Sequence, residues 1–153
     1  MRTERPPYAT RSDLEKVEAN WRKTRGLFKR GENSMAVVRA AISLELTANL
    51  AIMALYEPLH TPADIDAMLL KCNGMRRKFD DHLVKKSKGL PCEAEFKALR
   101  KMAADVNTKR NNICHMGIFV GRSDARRLIG IAHDVIATIL RKRGKVFLIV
   151  PVQ

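Results

Sequence analysis

Residues 34–56 read SMAVVRAAISLELTANLAIMALY. The stretch is apolar almost all round: Met35, Val37, Val38, Ile42, Leu44, Leu46, Leu50, Ile52, Met53 and Leu55 leave no polar stripe at helical spacing. By length it is able to cross a bilayer. Arg39, Glu45 and Asn49 interrupt it, however, and an ionisable group at mid-bilayer is costly. The stretch therefore reads as the buried central helix of a bundle, and no membrane partner is expected.

The flanking sequence supplies amphipathic neighbours for such a helix. Ser12-Asp13-Leu14-Glu15 has the form of a capping box. Leu14, Val17, Trp21, Thr24 and Phe28 then mark one helical face, and Gly31 is placed to stop that helix. Pro58 ends the central helix, because proline disfavours helical backbone at the residue before it. Thr61-Pro62-Ala63-Asp64 supplies the next start, with a capping hydroxyl, proline in the first turn and an acid at the positive end of the dipole. Ile65, Met68, Leu69, Cys72, Met75, Phe79 and Leu83 predict one continuous face up to Lys85-Lys86-Ser87-Lys88, which reads as a solvated helix end.

A fourth helix is expected after Leu90-Pro91, with Phe96, Leu99, Ala103, Val106, Arg110, Ile113 and Gly117 in alternating three- and four-residue steps. Gly117 and Gly121 bracket a break. Ser123 is expected to cap a fifth helix, whose stripe is Ala125, Leu128, Ile129, Ala132, Val135, Ile136, Ile139 and Leu140. Residues 146–150, VFLIV, are short, β-branched and strand-like. The expected fold is all-α: an up-and-down bundle of about five helices over residues 11–144. A loose basic arm over residues 1–10 precedes it, and a short apolar, extended tail over residues 145–153 follows.

Composition narrows the function. Of 153 residues, 29 are Lys or Arg against 16 Asp or Glu, a formal charge of +13. An imbalance of that size suits a polyanion. The three cysteines, Cys72, Cys92 and Cys114, have no CxxC pairing, which argues against a disulfide framework or a zinc site and for a reducing compartment. Met1–Arg11 is polar, so no secretory leader is expected and the location reads as cytoplasmic. The four histidines, His60, His82, His115 and His133, lack metal-ligand spacing with carboxylates or thiols. No metal or other cofactor is expected.

Within the fourth helix, Arg110 occupies a position where the seam calls for an apolar side chain. A charge there is costly unless it is paired or faces a wet cleft. The local sequence is Arg110-Asn111-Asn112-Ile113-Cys114-His115-Met116-Gly117. Two other pairs have similar spacing. Arg77 and His82 are separated by Asp80 and Asp81, which repel phosphate, and Arg127 and His133 flank a packing segment. Only Arg110 has an adjacent asparagine and stands just before an amphipathic final helix. In those respects the segment resembles the signature of the HEPN superfamily, small helical bundles of which many members are metal-independent ribonucleases. The resemblance implies a toxin- or defence-type endoribonuclease, a homodimer that brings two copies of the motif together across its axis, and a cognate antitoxin or inhibitor protein.

The chemistry is consistent with that implication. RNA carries its own nucleophile, the 2′-hydroxyl. His115 has a suitable pKa range for proton transfer, and Arg110 is able to bind phosphate oxygens through a charged fork. Asn111 and His115 share a helix face, whereas Arg110 and His115 lie about 140° apart on an ideal helix. One histidine does not comfortably serve as both base and acid, and a dyad supplies two. Glu45 is the candidate partner for Arg110 or His115, and Lys101, Lys109, Arg122 and Arg126 are candidate RNA contacts. Three alternatives stay open: a structural arginine that bridges helices through a carboxylate, a non-catalytic HEPN-like RNA-binding or adaptor protein, and a basic DNA regulator. The last lacks a clear recognition helix.

Overall fold

The computed structural model describes residues 5–142 and Val152, and among them every regular element is helical. A 3₁₀ turn at Tyr8–Thr10 leads into α1 (Asp13–Lys29). Then follow α2 (Asn33–Tyr56), α3 (Pro62–Lys71) and α4 (Met75–Arg77), which continues directly as a π-helical segment (Lys78–Val84). The last two helices are α5 (Glu93–Met116) and α6 (Arg122–Lys142).

α2 is the hub. It packs against α1, α3, the π segment, α5 and α6. Ala36, Ala40, Ala41, Ala48 and Ala51 are all buried along it, beside Leu44 and Ile52. Such small side chains let neighbouring backbones approach closely. Between α1 and α2 the Ser43 hydroxyl donates to the Val17 carbonyl at 3.3 Å. By length and composition α2 is apolar enough to cross a membrane, but 67% of that window is buried within the protein.

The local start signals act as the sequence predicts. The Glu15 amide donates to Ser12 Oγ at 3.3 Å, and the Ser12 amide donates to Glu15 Oε2 at 2.8 Å. The Ser12 amide, and the Ser12 hydroxyl donating to the same Oε2 at 2.9 Å, hold the Glu15 carboxyl below its ordinary range. Thr61 accepts from the Asp64 amide, with Pro62 in the first turn. The predicted stripe of α6, from Ala125 to Leu140, is buried throughout.

Three expectations change. There are six helices among the described residues, not five, because the helix expected from Thr61 to Lys85 is broken after Lys71. Gly74 sits at φ 90°, ψ 151°, a conformation open essentially to glycine alone. The anticipated face survives the break, since Ile65, Cys72, Met75, Phe79 and Leu83 are all buried. Ser123 is not a cap but the second residue of α6. Within the stretch expected to be a loose arm, Tyr8 is tied to α1 by a 2.8 Å hydrogen bond from Asn20 Nδ2. The tail expected over residues 145–153 lies outside the described residues except for Val152, which is partly buried against the core.

Leu44→Ala should lower unfolding free energy by about 2–5 kcal/mol, as emptying a fully buried leucine site does. Gly74→Ala should cost about 1–3 kcal/mol through backbone strain, and Leu70→Ala, at an 81% exposed position, about 0.5 kcal/mol or less. Urea titration checks the order; a Leu44 variant as stable as the Leu70 variant would contradict the assignment of the core.

Candidate functional site

The α5 seam enters the core and then leaves it. Phe96, Leu99, Ala103 and Val106 are buried. From Arg110 onward the same face is only half-buried, and it is exposed from Cys114. Arg110 is therefore where the seam meets solvent. The helix ends at Gly117, whose left-handed conformation (φ 65°) lets its amide bond to the Asn112 carbonyl.

Arg110 donates from its guanidinium to Asn111 Oδ1 at 2.9 Å. Among the described residues it makes no ion pair. The nearby acid on α6, Asp124, is taken by Lys109 at 3.0 Å and Arg127 at 3.0 Å. Hydrogen bonds from those two cations hold the Asp124 carboxyl below its ordinary range. His115 is exposed, one turn beyond Asn111. Around it the surface is apolar: Met116 is 71% and Phe119 92% exposed, and Ile118 is exposed as well.

The remaining predicted residues are dispersed. Glu45 meets neither Arg110 nor His115; its carboxylate is bonded to Lys78 Nζ at 2.9 Å. Lys101 is exposed on α5. Lys109 is engaged with Asp124 and ties α5 to α6. Arg122 and Arg126 stand over the end of α1, where the Arg122 guanidinium lies 4.2 Å from the Phe28 ring centroid and donates to the Phe28 carbonyl at 2.8 Å. Arg126 lies 5.7 Å from the same ring. Among the described residues no three His, Cys, Asp or Glu side chains gather where a metal ion could be held.

Two features went unread in the sequence. One is a cleft of about 240 Å³ between the π segment and α5, walled by Phe79, Asp80, Arg100 and Asn107. The other is the outer face of α1, whose Arg22, Lys23, Arg25, Lys29 and Arg30 are all exposed. Their spacing carried the signal, which the apolar face of the same helix overshadowed.

The decoy pair differs from Arg110 and His115 in surroundings. His82 Nδ1 is 2.7 Å from the Tyr56 hydroxyl. Burial pushes the imidazole pKa down, opposed by Asp81 and reinforced by Lys86 and Lys78. Burial also raises the Tyr56 hydroxyl. No family model, curated protein or solved structure matches the chain.

The depressed His82 value has a definite sign in stability. Between the folded and ordinary values the unfolded chain binds the extra proton, so stability rises with pH. The contribution is complete above the ordinary value of 6.5 and declines as pH falls from there through the lower folded value. The melting temperature should therefore drop on acidification from about pH 7.5 to about pH 5, and His82→Gln should drop less. Equal drops in the two proteins would dissociate His82 from the effect.

Proposed function

We propose that the chain is a HEPN-type, metal-independent endoribonuclease that acts in the cytoplasm, with Arg110, Asn111 and His115 as its working residues and RNA as its substrate. The observation that carries the proposal is the state of Arg110: a half-buried cation at the open end of an apolar seam, with no carboxylate partner among the described residues and an exposed histidine just beyond it. A cation placed this way is available to a phosphate. His115 would take the 2′-hydroxyl proton or protonate the leaving 5′-oxygen. Arg110 would stabilise charge on the pentacoordinate phosphorus, and Asn111 would orient the guanidinium it accepts from. The internal nucleophile leaves a 2′,3′-cyclic phosphate without a metal-activated water.

The proposal includes a homodimer in which the two 110–117 segments face each other, so that two histidines provide base and acid. Met116, Ile118 and Phe119 support it, because a cluster of exposed apolar side chains favours burial against a partner. It also takes the long helices to run up and down, in keeping with the short links between α1 and α2 and between α5 and α6. An antitoxin or inhibitor would cover the same end. The Arg110–Asn111 hydrogen bond favours a second reading, a non-catalytic HEPN-like RNA-binding or adaptor protein in which the motif only orders the end of α5.

His115→Ala should reduce RNA cleavage by about 10²–10⁴ with fold and RNA affinity nearly intact. Arg110→Ala should also slow turnover, while Arg77→Ala and His82→Ala should cleave normally. Wild-type cleavage should persist in EDTA and leave 2′,3′-cyclic ends. A His115 variant that cleaves like wild type, or a strict requirement for magnesium, would overturn the assignment; a wild type inert toward all RNA favours the adaptor.

Light scattering should give a dimer at micromolar concentration, and Phe119→Asp should yield monomers that have lost cleavage. A wild-type monomer that cleaves RNA would remove the dyad from the mechanism.

A further inference from the structure

The outer face of α1 and the first half of α2 enclose a trough of about 640 Å³. Its walls carry Arg22 and Lys23 from α1, Arg30 just past its end, Arg39 from α2, and Arg5 and Arg11 from the segment before α1. Among the described residues the one acid in the lining is Glu32, bonded to Arg30 at 2.8 Å. A second cleft of about 380 Å³ also includes Gly26, with Arg25, Lys29 and Arg122 in its walls and no acid among its described lining residues. Gly26 belongs to both, so the two form one basic track across α1.

Gly26 is itself informative. Mid-helix glycine costs about 1 kcal/mol relative to alanine, yet a Cβ here would meet only the Arg30 guanidinium, at an ordinary 3.4 Å. Packing does not demand glycine at this place. Its missing side chain lowers the ridge between the two clefts.

Two of the arginines are positioned in advance. Asn20 is 1% exposed; its Oδ1 accepts from Arg39 at 3.2 Å while its Nδ2 donates to the Tyr8 hydroxyl and the Lys16 carbonyl. At the other end Arg122 is held over the Phe28 ring and bonded to the Phe28 carbonyl. Fixing a cation before its ligand arrives lowers the ordering cost of binding. The Tyr8 ring, 45% exposed, stands 5.8 Å from the Arg11 guanidinium. Lys16 Nζ stands 5.9 Å from the same ring, which adds to the positive charge at this end of the track.

We infer that this track is a binding groove for the phosphodiester backbone of single-stranded RNA, separate from the Arg110–His115 site. So many cations facing so little acid repel one another unless an anion with regularly spaced charges lies among them. A basic trough that runs along one helix tracks a single backbone, the arrangement by which single strands are held. The groove also leads toward the motif. Arg122 is the first residue of α6, and the loop before it, which starts at the end of α5, is bonded to α2 through the Val120 amide and Ser34 Oγ at 3.0 Å. A strand in the groove would continue toward His115. That last point rests on the ribonuclease proposal; the groove does not.

The test is fluorescence anisotropy of the full chain with a short 2′-O-methyl oligouridine, which the internal-nucleophile route does not cleave. The triple variant Arg22→Gln, Arg25→Gln, Lys29→Gln should bind about tenfold more weakly. It should also flatten the slope of log affinity against log salt by about 2, since each phosphate left without its cation removes about 0.7 from that slope. The triple variant Lys71→Gln, Lys85→Gln, Lys88→Gln removes the same charge elsewhere and should keep the wild-type slope. The single variant Arg25→Gln reads the same effect in a step of about 0.7, in case the triple variant does not fold. Equal losses in both triple variants would reduce the groove to net charge and overturn the inference. So would a wild type that binds duplex RNA or polyglutamate as tightly as the strand. A wild type that never cleaves RNA but shows the slope difference sinks the enzyme and leaves the groove. A cleaving wild type without the difference does the reverse.

Discussion

α2 has no solvent face wide enough to hold a polar stripe, so it must be surrounded, and the remaining helices are arranged by how they surround it. The alanines at 36, 40, 41, 48 and 51 are buried and allow close approach; Leu44 and Ile52 fill what remains. Three polar side chains on α2 are met by its neighbours, whereas Asn33 Oδ1 and Asn49 Oδ1 are buried without a hydrogen-bond partner among the described residues. Ser43 bonds to α1, Arg39 to Asn20, and Glu45 to Lys78 of the π segment. An unpaired Glu45 carboxylate would penalise that packing, since breaking a pair that is largely removed from water leaves a charge uncompensated.

The same constraint shapes the candidate sites. α5 follows α2 only as far as Val106 and then diverges from the core. The Arg110–Gly117 segment is consequently presented at the end of the bundle, where a charge on the seam is tolerated because water reaches it. The left-handed turn at Gly117 stops the helix there, and Met116, Ile118 and Phe119 are left outside the core. α1, held along α2 by Val17, Trp21 and Phe28, turns its cations outward over the trough.

Much of the fold was legible in the residues because it rests on local rules. Helical spacing marked the α6 stripe; hydroxyls three residues before an acid marked the starts at Ser12 and Thr61. The break at Cys72–Gly74 was not legible. The buried positions on its two sides keep helical spacing, so periodicity reads through it; the Asn73-Gly74 dipeptide was the contrary signal, and the φ of Gly74 shows that it prevails. Ser123 misled for a related reason: α6 already starts at Arg122, with the Gly121 carbonyl accepting from the Ala125 amide, and a hydroxyl inside the first turn looks in sequence like a cap.

The sequence by itself determined the all-helical class, the burial of residues 34–56, the excess of positive charge and the unusual position of Arg110 on a seam, since each follows from spacing along one chain. Tertiary structure alone decided which groups meet. Glu45 faces Lys78 rather than Arg110, Asp124 pairs with Lys109 while Arg110 has no carboxylate among the described residues, and Arg122 folds over Phe28 at the end of a groove that no single helix contains. Partner choice depends on the rotation and separation of packed helices, which are set by the summed shape of their side chains and not by the interval between any two residues.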